Sequence, residues 1–393
     1  MRIILGGEAM IYADNASTTK ISESVFAKIL PLLQEQYGNA SNLYSFGAKA
    51  KRAIEQSRQQ VAEIISAESS EIIFTSSGSE GNSWVLSGIA SLYDKQLTHI
   101  ITSAIEHPSV LNACYALEQH GVSVTYLPVN CDGLVSISDI EATLRPNTKL
   151  VSIMLANNEI GTVQPIAEIG EYLKKRKILF HTDAVQAVGH IPANVNDLQV
   201  DFLSASAHKF NGAKGTGFVY IRSGITLPNM IFGGTQEHNK RAGTENVAGI
   251  VALGAALEES VSTVIDERLK RNILVQETIA GLQAGIPEIK FNGENTERLP
   301  GILNITFPDV SGEAMMHMLD LKGVCVSTGS ACFSGKDKPS HVLLAIGLTE
   351  QQAKSSIRIS YGRYNTKEEV KKIISAICEA YKKIIAAKVA GRN

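Results

Sequence analysis

Short runs rich in β-branched and aromatic residues recur along the chain: EIIFTSS, HIITSA, SVTYLPV, KLVSIMLA, ILFHTDA, DFLSASA and GFVYI. Stretches of helical length and period separate most of them. The alternation predicts an α/β fold built on a mainly parallel seven-stranded sheet flanked by helices. Each run ends in polar residues, among them Thr75, Asn157, Asn158, Asp183 and Ser206. In open α/β sheets ligands collect at such carboxyl ends. Beyond about residue 246 a long helical pattern runs to roughly Gly285, followed by NITF, a helix near Gly312 to Leu321 and the alternating SIRISYG. The change of pattern predicts a large domain over 20–262 and a smaller α/β domain made of 1–19 with 263–393. There is no repeat or low-complexity tract, and the first nine residues carry no motif.

Composition narrows the classes. A net charge of −2 over 393 residues provides no global pull toward nucleic acid or an anionic membrane, so neither is expected as a direct partner. The longest apolar stretch, Val247 to Leu257, falls short of the roughly 18 residues that cross a bilayer and predicts a buried helix. The N-terminus has no export-type apolar region followed by a cleavage site. Five cysteines, odd in number and without a CxxC pair, suit a reducing compartment, and the expectation is a cytoplasmic protein.

Candidate chemistry gathers at the strand ends. Lys209 follows DFLSASA in the glycine-rich SAHKFNGAKGTG, and Asp183 ends the preceding strand. Alone, Lys209 is an ordinary solvated cation; beside a strand-end acid able to face a pyridine nitrogen, it suits pyridoxal phosphate. That cofactor needs a phosphate cup, and TSSGSEGNS places Gly and hydroxyl residues where a strand gives way to a helix N-terminus. Taken singly, this segment is equally a plain Ser/Gly cap. Nucleotide-binding readings do worse. SACFSGKD has Ser330 where a phosphate-binding loop begins with Gly and Asp337 where it needs Ser or Thr, and GTGFVY lacks the third glycine of a dinucleotide fingerprint. No metal ligands are assigned. Cys332 lies among Gly, Ser and Lys ahead of Pro339, as a reachable nucleophile must, with Lys336 and Lys338 as either charge tuning or a solvated pair. Cys325 and Cys378 sit in apolar surroundings and read as buried structural thiols.

Taken together, YADNASTT, FTSSGSEGN, the EH of SAIEHPSV, NNEIG, HTDAVQAVG, SAHKFNGAKGTG, RAGTENV, STGSAC and SSIRISYGR resemble the NifS/IscS-like cysteine desulfurases. These belong to the class V aminotransferases of the aspartate-aminotransferase fold, and the motifs follow the family's order along nearly the whole chain. The resemblance implies that Lys209 holds pyridoxal 5′-phosphate covalently, Asp183 pairs with its ring nitrogen and His107 stacks on the ring. It implies that Gln186 and Asn158 contact the ring's phenolic oxygen and its surroundings, and that Gly78, Ser79, Ser206 and His208 hold the phosphate. Thr244 is expected to reach the phosphate of a partner subunit's cofactor, which implies a homodimer. Asn39, Asn158 and Arg358 are expected to bind the substrate carboxylate.

The activity implied is desulfuration of L-cysteine. Lys209 shuttles the α-proton, the Cys332 thiolate attacks the substrate sulfur, L-alanine leaves, and a persulfide on Cys332 passes to a sulfur-acceptor protein. The spacing from Cys332 to PSHVL resembles the long-loop subgroup, used for iron-sulfur cluster assembly and tRNA thiolation. The family's GNPSS-x-H segment is here GNASNLY, with Ala40 for Pro and Tyr44 for His, and Ser79 stands where Thr is commoner. Read as single residues, His107 is also a capping residue, Asn39 and Asn158 turn formers, and Arg358 half of an ion pair. Two other functions remain: a C–S or selenocysteine lyase on the same fold, which needs no Cys332, and a catalytically silent sulfur-trafficking scaffold.

Overall fold

The computed structural model describes residues 4–5, 8–328 and 338–390. All seven runs form strands of one sheet, in the order Ile72–Thr75, Gly217–Ile221, Phe202–Ser206, Leu179–Asp183, Thr148–Ser152, His99–Ser103, Ser123–Leu127. Pairing is parallel from Phe202–Ser206 across to Ser123–Leu127, and only Gly217–Ile221 runs against its neighbours. The parallel strands therefore bring their polar carboxyl ends to one edge.

The two-residue period of a strand divides its side chains between two faces. Ile72, Phe74, Ile101, Val151, Leu203, Phe218 and Tyr220 share a core with residues of the helices Glu23–Gln34, Ser45–Ile65, Ile166–Lys174 and Val247–Ser262. Their neighbours Ile73, Ile100, Leu150, Phe202, Val219 and Ile221 pack on the opposite side with the helices Gly78–Ser91 and Pro108–Glu118. Both faces are covered, which is why these runs read as nearly continuous apolar stretches.

The long pattern after residue 246 is two helices, Val247–Ser262 and Val264–Gly285, meeting at 72°. The break falls at Thr263, whose backbone leaves the helical region at φ −115°, ψ 7°. Among the described residues no single helix is long and apolar enough to cross a membrane. A second core surrounds the antiparallel strands Lys290–Asn292, Ile302–Thr306 and Ser356–Ser360, with the helices Val264–Gly285, Gly312–Asp320 and Lys367–Ala390. Ile11–Tyr12 pairs in parallel with Val324–Cys325 against this core. Cys325 and Cys378 are half-buried rather than fully enclosed, and Cys378 lies at the margin of that second core.

One buried fork fixes the strand that leads into the Gly78 helix. Arg58 donates to both carboxylate oxygens of Glu237 at 2.7 and 2.9 Å and to the Ile72 carbonyl at 2.7 Å. Glu237 also accepts from the Phe74 N–H at 2.8 Å. Removing one partner of a buried pair strands the other charge. Glu237→Ala is expected to cost about 3–5 kcal/mol, read from urea unfolding of the variant beside the parent.

Candidate active site

The carboxyl end of Leu179–Asp183 sets the first anchor. Asp183 is buried and accepts from Asn82 Nδ2 at 2.6 Å and from the Val185 N–H at 3.0 Å, so both oxygens are fixed. The same Asn82 amide donates to Ser109 Oγ at 2.9 Å, and Ser109 Oγ lies 2.8 Å from His107 Nδ1. A chain of hydrogen bonds thus runs from Asp183 to His107. His107 caps the helix Pro108–Glu118 by accepting the Ser109 N–H at its Nδ1, which leaves the proton of the neutral ring on Nε2. Burial, then the charges of Lys209 and His341, lower the His107 pKa against the opposing pull of Asp183.

Lys209 closes the short 3-10 turn Ala207–Lys209 that follows Phe202–Ser206. Its ammonium donates to the carbonyls of Ala16 and Ser17 at 2.6 and 2.8 Å. Gln186 donates to the same Ala16 carbonyl at 2.8 Å. Arg358, from the edge strand of the second sheet, reaches the same turn: Nη2 donates to Asp14 Oδ1 and to Ser17 Oγ, each at 2.7 Å. Its Nη1 donates to the Asn158 carbonyl at 2.8 Å. Residues 14–17 therefore join Lys209, Gln186 and Arg358, while Asn158 approaches from the turn after Thr148–Ser152.

The Gly78 helix begins beside this cluster. A Cβ on Gly78 would come within 2.3 Å of Val185 Cγ2 and 3.8 Å of Ser206 Cβ, so only glycine allows the helix end this close to the strand ends. Ser77 caps the helix by accepting the Glu80 N–H, and Ser79 is exposed in its first turn. His208 Nδ1 lies 3.1 Å from Thr18 Oγ1, and burial together with Lys209 and Lys214 lowers its pKa to about 4.

Two expected site residues stand apart from the Lys209 cluster. Asn39 is exposed and accepts the Ser41 N–H at 2.9 Å, closing a local turn. Thr244 is exposed ahead of Val247–Ser262. Their neighbours Ala40 to Leu43 and Glu245 line a common groove of about 570 Å³ with Thr235 to His238. Cys332 and Lys336 lie outside the described residues. The described segment that follows returns to the strand ends: Ser340 donates to Glu159 at 2.5 Å, and His341 Nε2 donates to the Glu106 carbonyl at 2.9 Å.

The Aminotransferase class-V family matches residues 11–373. "Cysteine desulfurase IscS" of Clostridium botulinum is 46% identical over 369 residues, covering 93% of both chains. The chain belongs to the class-V aminotransferases, in their cysteine desulfurase group. A "Cysteine desulfurase" of Nostoc is 44% identical over 381 residues, 96% of this chain and 94% of the relative. Among solved structures, a NifS-like protein superposes with TM-score 0.89 at 36% identity, over 95% of this chain and 99% of its own. The structure named "SspA in complex with cysteine" does so with TM-score 0.80 at 36% identity, over 91% and 100%.

Class-V aminotransferases use pyridoxal phosphate, and this cysteine desulfurase chain has a donor set that fits it. A carboxylate held by two N–H donors suits a protonated ring nitrogen, and a lysine resting on two carbonyls is a ready amine for an aldehyde. A helix N-terminus set close against Ser206 by Gly78 suits a phosphate dianion.

Sequence reasoning gave no role to Asp14, Ser17, Asn82, Glu106 or Glu159, although each lies within or beside a quoted motif. Only Asn82 carried a local signal, standing four residues after Gly78 and so on the same helix face. The partners of the others are distant in sequence.

Glu106 is wholly buried, and burial pushes its pKa up to about 8. Its Oε1 accepts from Ser103 Oγ at 2.6 Å and the Met154 N–H at 2.9 Å, and its buried Oε2 has no hydrogen-bond partner among the described residues. The folded state thus retains a proton that the unfolded chain loses near pH 4.5, so this group's contribution to stability is complete below that pH and declines up to about pH 8. Glu106→Gln, which mimics the protonated acid, removes that decline. The urea midpoint of the variant relative to the parent is expected to rise between pH 5 and pH 8.5.

Proposed function

We propose that this chain takes sulfur from L-cysteine, releases L-alanine and carries the sulfur as a persulfide on Cys332 to an acceptor protein. The observation that carries the reading is the convergence of Lys209 and Arg358 on the single turn 14–17, next to the Asp183–His107 hydrogen-bond chain. One basic group for an aldehyde and another for a carboxylate, set side by side, are what an α-amino acid on pyridoxal phosphate requires.

Lys209 would hold that cofactor, with Asp183 at its ring nitrogen, Gly78, Ser79, Ser206 and His208 at its phosphate, and His107, Gln186 and Asn158 around its ring. When bound, pyridoxal phosphate supplies an electron sink for the pair left behind as the α-proton departs. The residues of the chain do the rest. Arg358, beside Asn158, orients the substrate carboxylate, and Asn39, which stands apart from the Lys209 cluster, would have to approach on substrate binding to share that role. Lys209 moves the proton once its amine is free. The Cys332 thiolate attacks the substrate sulfur, so that the carbon–sulfur bond breaks as the sulfur–sulfur bond forms and the released carbon gains a proton as L-alanine. Lys336 and Lys338, close to Cys332 in sequence, supply positive charge of the kind that favours a thiolate.

Thr244, exposed beside the groove of residues 40–43 and 235–238, suits contact with the cofactor phosphate of a second copy in a homodimer. The bend at Thr263 supports a division into a cofactor domain, 20–262, and a smaller domain, 1–19 with 263–393. An iron-sulfur scaffold or a tRNA-thiolation protein in the cytoplasm suits the persulfide as acceptor.

The test is product release from L-cysteine with a thiol reductant, for the parent and for Cys332→Ala after bound cofactor is confirmed by absorbance. Equimolar L-alanine and sulfide from the parent, reduced at least a hundredfold (about 3 kcal/mol of barrier) in the variant, are expected. Equal sulfide with pyruvate from both proteins would instead identify a lyase.

A further inference from the structure

Arg358 is buried, yet its guanidinium is already engaged before any substrate arrives. Nη1 donates to the Asn158 carbonyl, and Nη2 donates to both Asp14 Oδ1 and Ser17 Oγ. Nε is buried with no hydrogen-bond partner among the described residues. A guanidinium presents two forks to a carboxylate, one made by Nε with Nη2 and one by Nη1 with Nη2. Both forks need a hydrogen of Nη2, and Nη2 is already engaged by two acceptors, Asp14 and Ser17. A carboxylate can therefore gain two-point contact with Arg358 only by displacing Asp14 or Ser17.

The two occupants differ in how firmly they hold. Asp14 is a charged partner at 2.7 Å, and losing it would leave a partly enclosed carboxylate without its counter-ion. Ser17 is neutral, and its hydroxyl leaves by rotation about one side-chain bond. An ionic acceptor outcompetes a hydroxyl for the same donor.

We infer that Ser17 is a placeholder: its hydroxyl occupies the Nη2 hydrogen that an incoming amino-acid carboxylate takes together with the unpartnered Nε–H. Substrate binding at Arg358 then exchanges one neutral hydrogen bond for a charged fork, with Asp14 remaining in place to aim the guanidinium. The Ser17 carbonyl also accepts from Lys209 at 2.8 Å, so the residue that yields its hydroxyl to the substrate is one on which the lysine rests. Ser17 is accordingly a specificity-determining residue for α-carboxylates. The inference rests on the reading of Arg358 as the carboxylate-binding residue.

The test is equilibrium binding to the cofactor-loaded protein, followed by the change in cofactor absorbance, with L-alanine as probe and L-alaninamide as the control lacking a carboxylate. Ser17→Ala is expected to bind L-alanine roughly three- to tenfold more tightly, the size of one net hydrogen bond, with L-alaninamide unchanged. Ser17→Thr, which keeps the hydroxyl, is expected to match the parent. Unchanged or weaker L-alanine binding by Ser17→Ala would overturn the inference, as would equal tightening for both probes. Arg358→Gln separates the two levels. Loss of the preference for L-alanine over the amide in Arg358→Gln, without tightening in Ser17→Ala, defeats the placeholder alone. A preference that survives Arg358→Gln defeats the reading of Arg358 itself, and the placeholder with it.

Discussion

Two positive side chains, Lys209 and Arg358, meet at the carboxyl end of the large sheet, and a turn of four residues keeps them there. Charge removed from water is costly unless it is paired or hydrogen-bonded. The turn meets that requirement with two carbonyls for Lys209 and with a carboxylate and a hydroxyl for Arg358. Because Lys209 follows a strand of the large sheet and Arg358 belongs to the edge strand of the small one, the same turn ties the two cores together. Residues 11–12, just ahead of it, pair with Val324–Cys325, which secures the turn from the other side.

The strand ends around this turn are held by polar contacts that cross the sheet. His181 lies between Ser152 Oγ at 2.8 Å and Ser204 Oγ at 3.1 Å, and burial lowers its pKa to about 3, so it acts as a neutral link across three strands. Glu159 is wholly buried with a pKa pushed up to about 7, and its carboxyl receives the Ser340 hydroxyl. The Glu106 carbonyl and the Glu159 carboxyl thus bring Ser340 and His341 to the carboxyl edge of the sheet, next to His107.

Much of this arrangement was legible in the sequence because it obeys local rules. Each strand of the large sheet showed its β-branched run, and Asp183 and Lys209 stood out as polar residues at the ends of such runs. The bend at Thr263 was hidden because the apolar pattern continues across it, with only one residue leaving helical geometry. Asp14 and Ser17 could not be assigned from local pattern, since their contacts to Arg358 span 344 and 341 residues of sequence. Glu106 was given no role, and its burial becomes evident only once Met154, just beyond the strand Thr148–Ser152, donates to it. Arg358 is half of an ion pair with Asp14, as one of its sequence readings has it, and its Nε–H has no partner among the described residues.

The central claim is that Lys209 is the residue that holds the cofactor. Incubation of the protein with pyridoxal phosphate, reduction with borohydride and peptide mass mapping tests it directly. A phosphopyridoxyl mass addition on the peptide containing Lys209, absent from Lys209→Ala, is the result this account predicts. Labelling confined to a different lysine, or equal labelling of parent and variant, would contradict it.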